Sequence, residues 1–268
     1  MTDLDLLRRH LLGLGKVLLG YSGGVDSALL AVVATEALGD GRFLAVIGRS
    51  PSYPEVQWRA AVELAGRFGV PLLELDTHEL DDPRYLRNDT SRCYFCKAEL
   101  WGRLGGLARE RGYDTVIDGT NADDLGEHRP GLRAGRETSV RSPLAELGWS
   151  KEAVRAASRV LGLPTWAAPA APCLSSRVRY GLPITVERLR QVEEGEAFLR
   201  SLGVRGDLRV RHHGNSASIE VAENEMVLLR SDWSTVVDVF ARLGFDSVEL
   251  DPQGYRRGRL LALGTGTG

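Results

Sequence analysis

The chain has 268 residues and a formal net charge of −2, with 43% hydrophobic and 26% charged residues. That size holds one large domain, or a medium domain with a small companion, and the balance is that of an ordinary globular protein. A pI near 6.2 argues against a broad nucleic-acid footprint, and no apolar run approaches the roughly 20 residues that span a bilayer.

Met1 to Leu14 carries leucines at helical spacing among Asp3, Asp5, Arg8, Arg9 and His10. This predicts an amphipathic helix, not a signal peptide, and hence a cytoplasmic protein. Lys16–Tyr21 reads as a buried strand, Ser27–Leu38 as a helix, Arg42–Ile47 as a strand, Glu55–Phe68 as a helix and Pro71–Leu75 as a strand. Lys97–Arg111 reads as a helix and Thr115–Asp118 as a fourth strand. Strands alternating with helices predict an α/β fold, a parallel sheet with flanking helices, whose ligands sit beyond the carboxyl ends of the strands. Polar and glycine residues gather at those ends, in Ser22–Ser27, Gly48–Ser50, Asp76–Thr77 and Gly119–Asn121.

From Gly126 to Gly148 the pattern weakens and arginines accumulate; Lys151–Leu161 is again helical, and a Pro/Ala/Ser loop follows from Pro164 to Tyr180. A boundary near Leu182 divides a domain of residues 1–182 from a small α+β domain of residues 183–268. The latter reads as helix Thr185–Leu202, strands Leu208–His212 and Ala217–Val221, helix Glu225–Leu243 and strand Ser247–Leu250. The closing GTGTG, Gly264–Gly268, reads as a frayed tail.

A strand that ends in Ser22-Gly23-Gly24-Val25-Asp26-Ser27 and feeds a helix is built for phosphate. The glycines let backbone N–H groups face an anion, the serines add hydroxyl donors, and the helix directs its positive end to the same point. Asp26 would repel phosphate by itself, so this reading asks for Mg2+ between them. The residues resemble the S-G-G-x-D-S signature of the PP-loop ATP pyrophosphatases, which implies an adenine nucleotide alpha-hydrolase-like domain that cleaves ATP to AMP and pyrophosphate. The resemblance also implies adenine contact at Arg49 and Ser50, and a fourth-strand motif at Gly119, Thr120 and Asn121 lying across the nucleotide.

Three cysteines cannot build a disulfide framework, and Cys93 and Cys96 form a C-x-x-C with Arg92 and Lys97 beside it, ahead of a helix. Four readings of Cys93, Cys96 and Cys173 stay open on the residues alone. They are buried structural thiols, a zinc site completed by His78 or His128, a dithiol redox pair, and an iron–sulfur cluster with one open iron.

The PP-loop together with RCYFCK (Arg92–Lys97), HRPGLRA (His128–Ala134), PCLSSRVRYG (Pro172–Gly181), LRVRHH and GYRRGR is similar to the LarE family. Those enzymes are ATP-dependent sulfur transferases that make the nickel-pincer cofactor of lactate racemase. The resemblance implies adenylation of the carboxylates of pyridinium-3,5-biscarboxylic acid mononucleotide, then their conversion to thiocarboxylates. It implies catalytic roles for Asp26, Cys93, Cys96 and Cys173, with the three cysteines holding a [4Fe–4S] cluster that carries sulfide from a sulfur donor. By the same resemblance Ser176, Glu196, Arg209, Arg211 and Glu220 fall on the family's substrate-binding or metal-binding region, and a homo-oligomeric assembly is implied. Arg177, beside Cys173, is placed to meet the substrate's anionic groups, and Arg256 and Arg259 near the C-terminus would either close over the site or contact a neighbouring subunit. The sequence departs from the family after Glu220, where apolar Met226–Leu229 replaces a metal-site acid. The alternative enzyme reading is a PP-loop [4Fe–4S] tRNA 2-thiolation enzyme, against which the acidic balance counts. An amidating synthetase and a nucleotide-binding sensor are the remaining rivals.

Overall fold

The computed structural model describes residues 2–126, 130–169 and 171–256. His128, Arg129, Arg259 and the Gly264–Gly268 tail lie outside the described residues. The chain forms two compact units, one of residues 1–50, 55–79 and 93–171 and the other of residues 51–54, 80–92 and 172–268.

In chain order, the elements begin with α1 (Asp3–Leu12), β1 (Val17–Gly20), α2 (Val25–Leu38), β2 (Phe43–Arg49), α3 (Glu55–Arg67) and β3 (Leu72–Asp76). Next come α4 (Pro83–Leu86), α5 (Arg92–Arg111), β4 (Thr115–Ile117), α6 (Pro130–Glu137), α7 (Pro143–Glu146) and α8 (Lys151–Val160). The last are α9 (Val186–Ser201), β5 (Leu208–His212), β6 (Ser216–Val221), α10 (Glu223–Ser231), α11 (Trp233–Arg242) and β7 (Ser247–Leu250).

The first unit carries a parallel sheet in the order β3-β2-β1-β4. The chain crosses from β1 outward to β2 and β3, then returns to place β4 on the other side of β1. The crevice between β1 and β4 is therefore the topological switch point, where α/β sheets hold their ligands. The all-apolar burial of Val17, Leu18 and Leu19 follows from a strand covered on both faces. Gly20 ends β1 without a side chain because Trp101 of α5 fills its place; a Cβ there would lie 2.5 Å from the indole ring.

The second unit carries a three-stranded sheet, β5-β6-β7, with β5 antiparallel and β7 parallel to β6. Leu189, Val192 and Leu199 of α9 are buried, as are Val210, Ile219, Val236 and Phe240.

Four elements differ from their sequence reading. Helix α2 starts at Val25, so Asp26 and Ser27 lie inside its first turn. Helix α5 starts at Arg92, because Asp89 accepts the Ser91 N–H at 2.8 Å and makes the turn from which the helix grows. The C-x-x-C is thus the helix's opening turn and does not precede it. The weakly patterned stretch after Gly126 contains α6 and α7. The long helix expected over 225–243 breaks at Asp232, whose φ of −112° and ψ of 24° leave the helical region. Among the described residues no helix is long and apolar enough to cross a membrane.

Candidate active site

The loop after β1 is a closed, preorganised turn. Gly23 has φ +67°, a left-handed conformation that a side chain would strain. The Ser27 hydroxyl donates to the Gly24 carbonyl at 3.1 Å, accepts the Ser22 N–H at 3.2 Å and lies 3.1 Å from the Ser22 hydroxyl. Gly24 caps α2 with no side-chain hydrogen bond, so a side chain does not occupy the helix's first donors. Backbone N–H groups, two hydroxyls and a helix N-terminus are the equipment an anionic phosphate needs.

Strand β4 brings the second half of this site. Gly119 lies against the start of α2, and a Cβ there would stand 2.9 Å from the Ser27 nitrogen. Thr120 folds back onto Asp118, its N–H and hydroxyl donating at 3.0 and 2.8 Å. Fully buried Asn121 donates through Nδ2 to the Asp26 carboxylate at 3.0 Å. The Lys151 ammonium donates to the other oxygen of the same carboxylate, forming an ion pair. The charge that Asp26 brings to a phosphate site is therefore already countered within the chain.

Lys151 was missed in the sequence. It is the first residue of α8, behind the Ser150 cap, where a cation meets the positive end of the helix. A lysine placed against a helix dipole was the available signal. The Lys151 N–H also donates to Asp123 at 2.7 Å, which seats the helix start beside the loop.

At the end of β2, Arg49 lies 4.1 Å from the centroid of Trp58 and pairs with Glu55 and Glu74 at 3.3 and 3.4 Å. The Ser50 hydroxyl donates to buried Glu79 at 2.5 Å. Cys93 and Cys96, three apart in the first turns of α5, share a helix face, Cys93 exposed and Cys96 half-buried. Of the two cations beside them in the sequence, Lys97 lies over the Trp101 ring at 5.2 Å, while Arg92 is buried and donates to the Ser175 carbonyl at 2.8 Å.

In the second unit, Cys173 precedes a short turn, Leu174–Arg177, that ties the remaining expected residues into one network. The Cys173 carbonyl accepts from the Ser176 hydroxyl at 2.7 Å and from Arg177 at 2.8 Å. Arg177 forks onto both oxygens of Glu196 at 3.0 and 3.2 Å. The Ser176 carbonyl accepts from Arg211 at 3.0 Å, and Arg211 pairs with buried Glu220 at 2.8 Å. Arg209 lies 5.2 Å from the centroid of Tyr255; burial first, and then the nearby Arg177 charge, push its pKa down. Among the described residues no three His, Cys, Asp or Glu side chains are gathered so as to hold a metal ion.

Comparison with known proteins agrees with this geometry. A family model described as NAD synthase matches residues 7–90, which run from α1 through the loop to α4. An uncharacterized protein of Synechocystis sp. is 44% identical over 97% of both chains. The pyridinium-3,5-bisthiocarboxylic acid mononucleotide synthase of Lactiplantibacillus plantarum is 34% identical over 92% of this chain and 89% of its own. A glutamine-hydrolyzing GMP synthase of Streptococcus pyogenes is 29% identical over 74% of this chain and only 41% of its own.

A parallel sheet with a Ser-Gly-Gly-x-Asp-Ser loop at its switch point defines an ATP-using enzyme of the PP-loop class. Identity of 34% along nearly the whole length narrows that class. The chain belongs to the LarE family, whose members are sulfur-transferring enzymes.

Proposed function

We propose that this enzyme adenylates the ring carboxylates of pyridinium-3,5-biscarboxylic acid mononucleotide and converts them to thiocarboxylates. The observation that carries this reading is similarity along 92% of the chain to a synthase of the bisthiocarboxylate product. ATP chemistry is assigned to the first compact unit and recognition of the substrate's anionic groups to the second.

A substrate carboxylate oxygen attacks the α-phosphorus of ATP, and pyrophosphate leaves with the electron pair of the broken P–O bond. The acyl-adenylate that results then accepts a sulfur nucleophile at its carbonyl carbon, and AMP departs in place of an oxide no carboxylate can lose. One ATP is used for each carboxylate. Ser22, Gly23, Gly24 and Ser27 cradle the phosphates. Arg49 and Ser50 border the adenine, and Gly119, Thr120 and Asn121 close the opposite side. Lys151 supplies positive charge where pyrophosphate develops. Asp26 presents oxygen to Mg2+, whose chemistry is to neutralise the phosphate oxygens. In the second unit, Ser176 and three arginines, Arg177, Arg209 and Arg211, stand against two carboxylates, Glu196 and Glu220. That surplus of guanidinium suits a substrate with a phosphate and two carboxylates.

The sulfur source we assign is a [4Fe–4S] cluster held by Cys93, Cys96 and Cys173. None of the three is tied up in a disulfide, and three thiolates on a four-iron cluster would leave one iron open. When bound, the group supplies a sulfide at neutral pH. The enzyme then works in the cytoplasm as a homo-oligomer, draws sulfide from a donor, and feeds maturation of a nickel-pincer enzyme such as lactate racemase.

Anaerobic purification with visible spectra and iron and sulfide analysis, followed by ATP and the pyridinium substrate, tests both halves. The expected result is a coloured, iron-containing protein that releases pyrophosphate and thiocarboxylate in equal amounts over repeated turnovers. An iron-free protein that loses the Cys173 sulfur in one turnover overturns the cluster and keeps the adenylation. Absence of substrate-dependent pyrophosphate overturns the whole reading.

A further inference from the structure

The turn that follows Cys173 is fastened by a buried polar lattice out of proportion to its size. Residues 80–92 lie in the same compact unit and supply most of it. The Tyr85 hydroxyl, 1% exposed as a residue, is hydrogen-bonded at 2.6 Å to the hydroxyl of Ser175, which is fully buried. Asn88 is also fully buried and sits at φ 54°, a left-handed conformation that costs about 1 kcal/mol or more for a residue with a side chain. From there its Nδ2 donates to the carbonyls of Arg179 and Leu182, both at 2.9 Å, and of Val178 at 3.3 Å. Its own carbonyl accepts the Gly181 N–H at 3.1 Å. Arg92, 4% exposed, donates to the Ser175 carbonyl at 2.8 Å and to the Asn88 side chain. The Ser52 carbonyl accepts the Leu174 N–H at 2.8 Å.

Burying a guanidinium, an amide and two hydroxyls costs free energy unless every group is satisfied, and apolar packing would hold a loop more cheaply. What such a lattice adds is one fixed geometry for the main chain it grips. Here it grips 174–182, while Arg177 and Ser176 hold the Cys173 carbonyl. The half-buried Cys173 thiol takes part in none of these bonds. The backbone is fixed, and the sulfur is left available.

We propose that Tyr85, Asn88 and Arg92 are positioning residues for Cys173, setting the place of its sulfur for the transfer step. The proposal rests on the assignment of Cys173 to sulfur chemistry. It concerns residues outside the phosphate loop and outside the arginine cluster.

The test uses the full-length protein and two readouts. Tyr85→Phe removes one hydroxyl and keeps the ring; Arg92→Lys and Arg92→Gln form a conservative and a disruptive pair. The first readout, taken on the full-length protein before any cluster is loaded, is the rate at which iodoacetamide alkylates Cys173, followed by peptide mass spectrometry, with exposed Cys93 as the internal control. The second is thiocarboxylate formed per pyrophosphate released. Tyr85→Phe is expected to raise Cys173 alkylation several-fold without changing Cys93, and to lower the product-to-pyrophosphate ratio about tenfold, as sub-ångström misplacement of a reacting group does. The KM for ATP should stay unchanged, and Arg92→Lys should retain more of the ratio than Arg92→Gln. A folded Tyr85→Phe protein with wild-type alkylation, or with altered alkylation and a wild-type ratio, overturns the proposal. If the wild-type protein transfers no sulfur, the assigned reaction fails by itself, and the alkylation rates alone decide whether the lattice holds Cys173.

Discussion

Gly119→Ala is the sharpest test of the first unit, because the perturbation can be read from three distances. The added Cβ would stand 2.9 Å from the Ser27 nitrogen, 3.2 Å from the Asp26 Cβ and 3.3 Å from the Asp26 carbonyl carbon. Two of those atoms are helix backbone, so no side chain can swing aside. The start of α2 must retreat by a few tenths of an ångström. Overpacking of this kind costs about 1–3 kcal/mol of stability. The same displacement moves the donors of the Ser22–Ser27 loop, and with a full ångström worth about a hundredfold in rate, roughly tenfold loss of kcat is expected. Urea unfolding gives the first number and substrate-dependent pyrophosphate release the second. Gly102→Ala is the control: it lies within α5 with no heavy atom within 4 Å of its added Cβ. That variant should gain up to about 1 kcal/mol from helix propensity and keep full activity. A Gly119→Ala protein that is destabilised yet releases pyrophosphate at the wild-type kcat would refute the placement of the phosphates at this loop.

Lys151→Met should leave the fold within about 1 kcal/mol of wild type, since the ammonium is partly solvated, and should lower kcat for pyrophosphate release about a hundredfold; an unchanged kcat removes Lys151 from the reaction. Glu220→Gln should cost about 3 kcal/mol by urea unfolding, because it strands the Arg211 guanidinium in a buried site; a cost under about 1 kcal/mol would show that the pair is solvated in solution. Burial, aided by the charges of Arg188 and His213, pushes the His212 pKa down from 6.5 to about 4. Its neutral form is the folded one, so its contribution is intact above pH 6.5 and is lost as pH falls toward 4, about 2 kcal/mol by pH 5. Stability curves at pH 7 and 5 for wild type and His212→Asn check this, the variant showing the smaller fall.

The parallel sheet was legible because its strands are buried on both faces and therefore read as unbroken apolar runs such as Val17–Leu19. Strand β5 matched its expected bounds, Leu208–His212, as did β7, Ser247–Leu250. Helix ends were less legible, since they depend on turn geometry more than on periodicity. Asp89 starts α5 five residues before the apolar pattern does, and Asp232 stops α10 inside an unbroken amphipathic pattern. The loop at Ser22 could be read outright because its chemistry is contiguous. Lys151, 125 residues from the aspartate it pairs with, could not, because only the crossover to β4 and α8 brings it there. Tyr85, Asn88 and Arg92 were hidden for the same reason: their partners lie about ninety residues away.

Asp26 changes most between sequence and structure. As a lone carboxylate beside phosphate it demands a metal ion. In the fold, one of its oxygens accepts from Asn121 and the other from Lys151. A carboxylate has about four lone-pair sites, so these two bonds leave room for Mg2+ on the same group. On the proposed function, Asp26 is a hub that aligns two cations, one fixed on α8 and one brought with the nucleotide. On that proposal, the fixed cation lets the chain keep a preformed acidic group beside the phosphate loop: without Lys151, Asp26 would oppose the entry of ATP until metal arrived. The arginines of the second unit follow the same logic, with Arg177 and Arg211 already resting on Glu196 and Glu220. On the proposed function, an incoming polyanion would compete for guanidinium groups that are held in place, and pay little in side-chain order to use them.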